Sequence, residues 1–170
     1  MKYEFEYYIN RYNVDLTRLC VSLCGNISDA EDLLQDTWLK VFRHYKKYDK
    51  NKPFDKWLFS ICVNTYKNSI NSAFIKKQKL FKNEEEKRLF FASIPEVNDN
   101  TIDDYAELHK AISSLSKKHR IVIVLYYFKD FSVNEISQIV NIPVGTVKSR
   151  LAVAREEIKR RLIYEQKDKW

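Results

Sequence analysis

Two stretches carry side chains whose types and spacing could do chemistry, and in both it is the chemistry of polyanion binding. Residues 132–161, SVNEISQIVNIPVGTVKSRLAVAREEIKRR, place Lys148, Arg155 and Lys159 along one edge of a helical pattern, with Ser149 and Ala152 beside them. Small side chains let a helix approach a surface closely, and basic ones meet phosphates or guanine edges in a DNA major groove. Residues 40–82 set Tyr45, Tyr48, Phe54, Trp57 and Tyr66 among 12 basic residues. A basic groove with aromatic platforms suits unstacked bases, at roughly 1–3 kcal/mol of stacking per base. Trp57 fits a core position equally well, since apolar neighbours at helical spacing also use it.

Catalytic constellations are missing from the pattern. There is no HExxH, no paired metal-ligand set, no glycine-rich phosphate loop and no nucleophile–His arrangement, so no catalytic residue, metal or cofactor is expected. Cys20 and Cys24 would share one helix face while Cys62 is remote, and His44, His109 and His119 show no ligand spacing. The cysteines read as small buried residues.

The elements that must position these residues are helical. Glycine (2) and proline (3) are scarce in 170 residues, which removes the usual material for hairpins and predicts an all-α chain. Phe5, Tyr8, Ile9, Tyr12, Leu16 and Leu19 repeat at helical spacing until Gly25-Asn26 stops the pattern. Ser28 with Glu31 predicts a capping box for a second helix running to about Tyr45, with Leu34, Trp38, Val41, Phe42 and Tyr45 as its apolar stripe. Residues 45–56, broken by Pro53, read as a loop. A third helix starts at Phe54 or Asp55, carries Trp57, Leu58, Ile61 and Cys62 inward and extends toward Lys82. A second helical set spans about Tyr105 to Tyr164. Within it Ser132 and Glu135 predict a capping box, Asn141 a left-handed stop and Pro143 the first turn of the next helix. Val147, Leu151, Ala154 and Ile158 form that helix's buried face.

Charge is segregated along the chain. The net charge is −4 over residues 1–39, +10 over 40–82, −6 over 83–109 and +6 over 117–170. Two basic blocks parted by an acidic one predict two polyanion-binding modules joined by a linker. The longest apolar run, Ile121–Phe128, is too short for a bilayer, which needs roughly 20 residues. The acidic start MKYEFEYYIN is unlike a signal peptide, so a cytoplasmic protein without membrane insertion is expected.

LSKKHRIVIVLYYFKDFSVNEISQIVNIPVGTVKSRLAVARE resembles region 4 of bacterial sigma factors. DAEDLLQDTWLKVFR resembles their region 2.2, and FDKWLFSICVNTYKNSI the region 2.3–2.4 helix that follows. Both blocks, in this order and at this spacing, resemble the small extracytoplasmic-function group of the sigma-70 family. The resemblance covers roughly residues 5–75 and 105–162.

The resemblance implies a region 2 helical bundle over residues 1–82, an acidic linker over 83–104 and a region 4 helix-turn-helix over 105–170. It implies docking on the β′ clamp helices of core RNA polymerase through Asp32, Leu33, Gln35, Asp36 and Trp38, with the β flap as a further polymerase contact. It implies capture of the promoter −10 element through Asn51, Phe54, Trp57, Asn64 and Lys67. Lys148, Ser149, Arg150 and Arg155 would read the −35 element. An anti-sigma factor is a further expected partner. The acidic linker, through Glu84, Glu85 and Glu86, is expected to mimic nucleic acid inside the polymerase. A stand-alone helix-turn-helix regulator on duplex operator DNA is the alternative, although such a protein has no need of the basic, aromatic N-terminal block.

Overall fold

The computed structural model describes residues 2–69 and 106–167, and every described element is helical. The expected boundaries at 82/83 and 104/105, the acidic linker with Glu84–Glu86 and any continuation of the third helix beyond residue 69 lie outside the described residues. Packing divides the chain into two units. Of the described residues, the first holds 2–20 and 31–69, and the second holds 21–30 and 106–167.

The first unit is built from α1 (Lys2–Cys24) up to Cys20, α2 (Ile27–His44) from Glu31 on, a 3-10 turn (Tyr45–Lys47) and α3 (Phe54–Asn68). α1 ends at Gly25, whose φ of 76° is a left-handed stop that glycine adopts without a steric penalty. α2 begins two residues earlier than its Ser28–Glu31 signature implies. Asn26 takes the cap instead: its Oδ1 accepts from the Asp29 N–H (2.9 Å), and its Nδ2 donates to the Asp29 carboxylate (2.8 Å). Asparagine caps at least as well as serine, and once Asn26 holds that position Ser28 falls inside the first turn.

Trp38 is the centre of this unit. It is fully buried and meets the edge of Phe5 with ring centroids 5.8 Å apart. Its indole N–H donates to Asn13 Oδ1 at 2.9 Å, so the one polar atom of the largest core side chain has a partner from α1. α3 contributes Leu58, Phe59, Cys62, Val63 and Tyr66 to the core. Cys20 and Cys62 pack there with their sulfurs 3.8 Å apart, and all three cysteines are unbridged. Phe42, expected in the α2 stripe, is 40% exposed at its edge.

The second unit is built from α4 (Ala106–Ser113), α5 (Lys117–Phe128), α6 (Val133–Val140) and α7 (Val144–Lys167). Ile121–Leu125, most of the longest apolar run in the chain, is buried at the middle of α5. Arg120, which the sequence pattern did not single out, ties the α4–α5 turn. Its guanidinium donates to the carbonyls of Ile112 (3.2 Å), Ser113 and Leu115 (2.9 Å). α6 has the expected capping box: Ser132 Oγ accepts from the Glu135 N–H (3.2 Å), and the Glu135 carboxylate accepts from the Ser132 N–H (2.8 Å). Asn141 is left-handed as expected (φ 58°, ψ 53°), and the N–H groups of Asn141 and Ile142 both donate to Ser137 O. Ser137 Oγ in turn donates to Ile142 O at 2.6 Å, lacing the turn from both sides. α7 starts against Pro143, whose carbonyl accepts from Thr146 and Val147.

Removing the partner of the Trp38 indole should be costly. Asn13→Ala is expected to lower unfolding free energy by about 1–3 kcal/mol, the cost of a buried donor left unsatisfied. Urea denaturation followed by tryptophan fluorescence would show the loss as a lower midpoint at unchanged slope.

Candidate functional site

α7 buries Val147, Leu151 and Ala154 and half-buries Ile158, so its opposite face is turned to solvent. Lys148 and Ser149 are exposed and Arg150 is half-exposed. Ser149 donates its hydroxyl proton to Thr146 O (3.0 Å), which leaves its oxygen lone pairs outward as acceptors. Arg155 behaves differently from the other expected readers. Its Nε–H donates to the Tyr127 hydroxyl at 2.6 Å, and its guanidinium lies 5.5 Å from the ring centroids of both Tyr126 and Tyr127. A planar cation held by a hydrogen bond and two aromatic faces is directed along α5 rather than away from α7. Tyr127 shows itself only as a member of an apolar run in the sequence, with nothing there to pair it with a residue 28 positions on.

In the first unit the five residues expected at unwound DNA separate into two groups. Phe54 is buried and stacks on Tyr8 with centroids 3.8 Å apart and planes at 14°. Trp57 is half-exposed and stacks on half-exposed Tyr48 (4.7 Å, 29°), forming a two-ring platform at the surface. Asn64, seven residues beyond Trp57, lies on the same face of α3 and is exposed, with half-exposed Lys67 beside it. Asn51 is exposed at the tip of the preceding loop, where its N–H and Nδ2 both donate to Asp49 Oδ1 (3.0 and 3.1 Å). That loop is held in shape by the Tyr48 hydroxyl donating to Lys52 O and by Lys50 Nζ on Glu4 Oε1 at 2.8 Å. The pair holds the Glu4 carboxyl below, and the Lys50 ammonium above, its usual pKa.

The expected polymerase-docking residues also divide. Asp32 is exposed and Gln35 and Asp36 are half-exposed, three and four residues on and hence on a shared face. Leu33 (5% exposed) and Trp38 (0%) point into the core, so they support this acidic surface from beneath.

One feature of the second unit has no counterpart in the sequence pattern. An apolar groove of about 530 Å³ runs between α4, α5 and α7, lined by Leu108, Ile112, Ile123, Phe128, Ile158 and Leu162, with Tyr127 and Arg155 at its rim. Among the described residues no group of three or more His, Cys, Asp or Glu side chains could hold a metal ion, and no helix is long and apolar enough to cross a membrane.

Residues 8–73 match the family model of sigma-70 region 2, and residues 105–158 match that of sigma-70 region 4. The chain is 30% identical over 166 residues to the ECF RNA polymerase sigma factor SigW of Bacillus subtilis, covering 91% of this chain and 86% of that protein. It is 26% identical to the RNA polymerase sigma-H factor of Pseudomonas aeruginosa, covering 95% of this chain and 87% of that one. The fold is similar to that of the sigma factor RpoE from Bartonella quintana, solved in complex with the anti-sigma factor NepR. The TM-score is 0.69 at 24% identity, over 94% of this chain and 96% of that one.

The two aromatic roles are separable by substitution. Phe54→Ala should destabilise the chain by about 3–5 kcal/mol, the usual cost of deleting a core ring. Trp57→Ala should cost much less in stability but weaken binding of single-stranded promoter DNA by about 1–3 kcal/mol. Thermal melts and fluorescence titrations with a single-stranded oligonucleotide, run on both variants, check the contrast.

Proposed function

The chain belongs to the extracytoplasmic-function group of the sigma-70 family and is an RNA polymerase sigma factor, and we propose that its surfaces divide the work of promoter recognition among themselves. The observation that carries the division is the pairing, in one chain, of a helix held out by a helix-turn-helix with a surface aromatic platform on a separate unit. α7 enters the major groove at the −35 element, with Lys148, Ser149 and Arg150 at the DNA. The Trp57–Tyr48 platform, with Asn51, Asn64 and Lys67 around it, receives bases unstacked at the −10 element. Asp32, Gln35 and Asp36 present the acidic face that docks on the β′ clamp helices.

The groove between α4, α5 and α7 is lined mainly by apolar side chains, which suits an amphipathic helix laid into it. The β flap of the polymerase is the occupant that fits a sigma factor. An anti-sigma protein competing for the same groove or for the clamp-docking face would hold the factor inactive. The chain supplies binding and positioning, while phosphoryl transfer belongs to the polymerase, so the protein is not itself an enzyme and needs no cofactor. It works in the cytoplasm, beside the chromosome, without inserting into a membrane.

Reconstitution tests this reading. The purified chain is mixed with core bacterial RNA polymerase, and transcript starts are mapped on genomic fragments. Starts that require the chain and share motifs near −35 and −10 are the expected result. Tight binding of the chain alone to a symmetric duplex, with no affinity for core polymerase, would instead make it a stand-alone regulator.

Two variants localise the surfaces. Asp36→Lys should weaken core-polymerase affinity by about tenfold or more, because a reversed charge at a complementary interface costs at least about 1.4 kcal/mol. Lys148→Ala should weaken holoenzyme binding at the −35 element by about 1–3 kcal/mol if its ammonium meets a base. A uniform loss across sequences, with the salt slope lower by about one, is the signature of a phosphate contact.

A further inference from the structure

Successive residues of α7 turn by about 100°. Gly145, Ser149, Ala152 and Val153 therefore lie on the side away from the buried seam of Val147, Leu151 and Ala154. Lys148 falls on one edge of that outward strip and Arg150 on the other. Arg155, the next cation along, is turned onto Tyr127. From Gly145 to Val153 the outward strip thus carries neither a cation nor a carboxylate, although a cation borders it on each side. Val153 is 45% exposed at its far end. A single exposed valine is ordinary on any surface. Here it sits beside exposed Ala152 on the helix face that the sigma reading directs at DNA.

We propose that this strip reads thymine C5-methyl groups in the major groove, with Val153 as the specificity-determining contact and Lys148 and Arg150 on the phosphates at either wall. The proposal rests on the sigma reading and deepens it, since it names the base chemistry that the −35 element must present. Thymine alone places a methyl in the major groove, beside its O4 acceptor, whereas cytosine has only hydrogen at that carbon and the purines present hydrogen-bonding atoms. A valine cannot pair with those atoms, so a G·C pair opposite Val153 would lose contact with water and gain nothing in return. Discrimination then arises twice, from apolar burial of the methyl and from unsatisfied polar edges on the wrong base. Phosphate contacts from the two edges supply affinity without sequence preference.

The test uses the full chain with core polymerase on a promoter mapped as above. Each thymine of the −35 element, on either strand, is replaced in turn by deoxyuridine, which removes only the methyl. At one or two positions the wild-type complex should weaken about fourfold, the equivalent of one buried methyl group. With Val153→Ala the same replacements should change binding by less than about twofold, since the two Cγ methyls that would meet the thymine methyl are gone. The proposal is overturned, and the sigma reading left standing, by promoter complexes that ignore methyl loss at every position. A methyl effect that persists undiminished in Val153→Ala, or a −35 element without thymine, has the same consequence. Failure to form any chain-dependent promoter complex would overturn the sigma reading itself and this proposal with it.

Discussion

Burial of three small-to-medium side chains on α7 governs what the second unit offers to a partner. Val147, Leu151 and Ala154 recur at steps of four and three and lie against α4, α5 and α6. A helix so fixed along one side has no freedom to roll, so every other residue on it is assigned a direction. The turn before it adds the second constraint. Asn141 in the left-handed region, with Asn141 and Ile142 donating to Ser137 O, sets the heading of α7 relative to α6. Non-glycine residues adopt that backbone conformation only at some cost, and asparagine is among those that tolerate it best.

The first unit solves a different problem, the allocation of aromatic rings between core and surface. Trp38 and Trp57 are chemically alike, yet one is sealed and the other half-exposed. Trp38 sits on the inner face of α2 and finds Asn13 for its indole N–H. Trp57 lies at the margin of α3, half-exposed and stacked on Tyr48. Phe54, one helical turn earlier, is drawn under Tyr8. A stacking platform must be rigid as well as accessible. Tyr48 supplies the rigidity through its own hydroxyl, which closes the loop on Lys52.

Cations show the same sorting by local partner. Arg120 collects carbonyls at a helix turn and acts as structure. Arg155 is held by Tyr127 at the rim of the apolar groove, so a partner entering that groove meets the side chains that fix its position. Lys148 and Arg150 stand on opposite edges of the α7 outward strip. Net positive charge draws the chain toward DNA over long range, but only the cations left outward are positioned to meet it.

Much of this was legible in the residues themselves. Helical periodicity, the Ser132–Glu135 box and the Asn141 stop all act over a few positions, where backbone geometry leaves few options. The resemblance to sigma regions 2 and 4 rested on those same stretches. Position along the chain did not reveal that Asn26 would take the α2 cap from Ser28, that Leu33 and Trp38 would face inward, or that Phe54 and Trp57 would separate. Nor did it reveal the groove or the pairing of Arg155 with Tyr127. Each of these depends on a neighbour from another helix, or on competition between two nearby residues for one site. Periodicity specifies which face of a helix is apolar; only packing decides how deep that face sinks and which side chains at its margin remain in water.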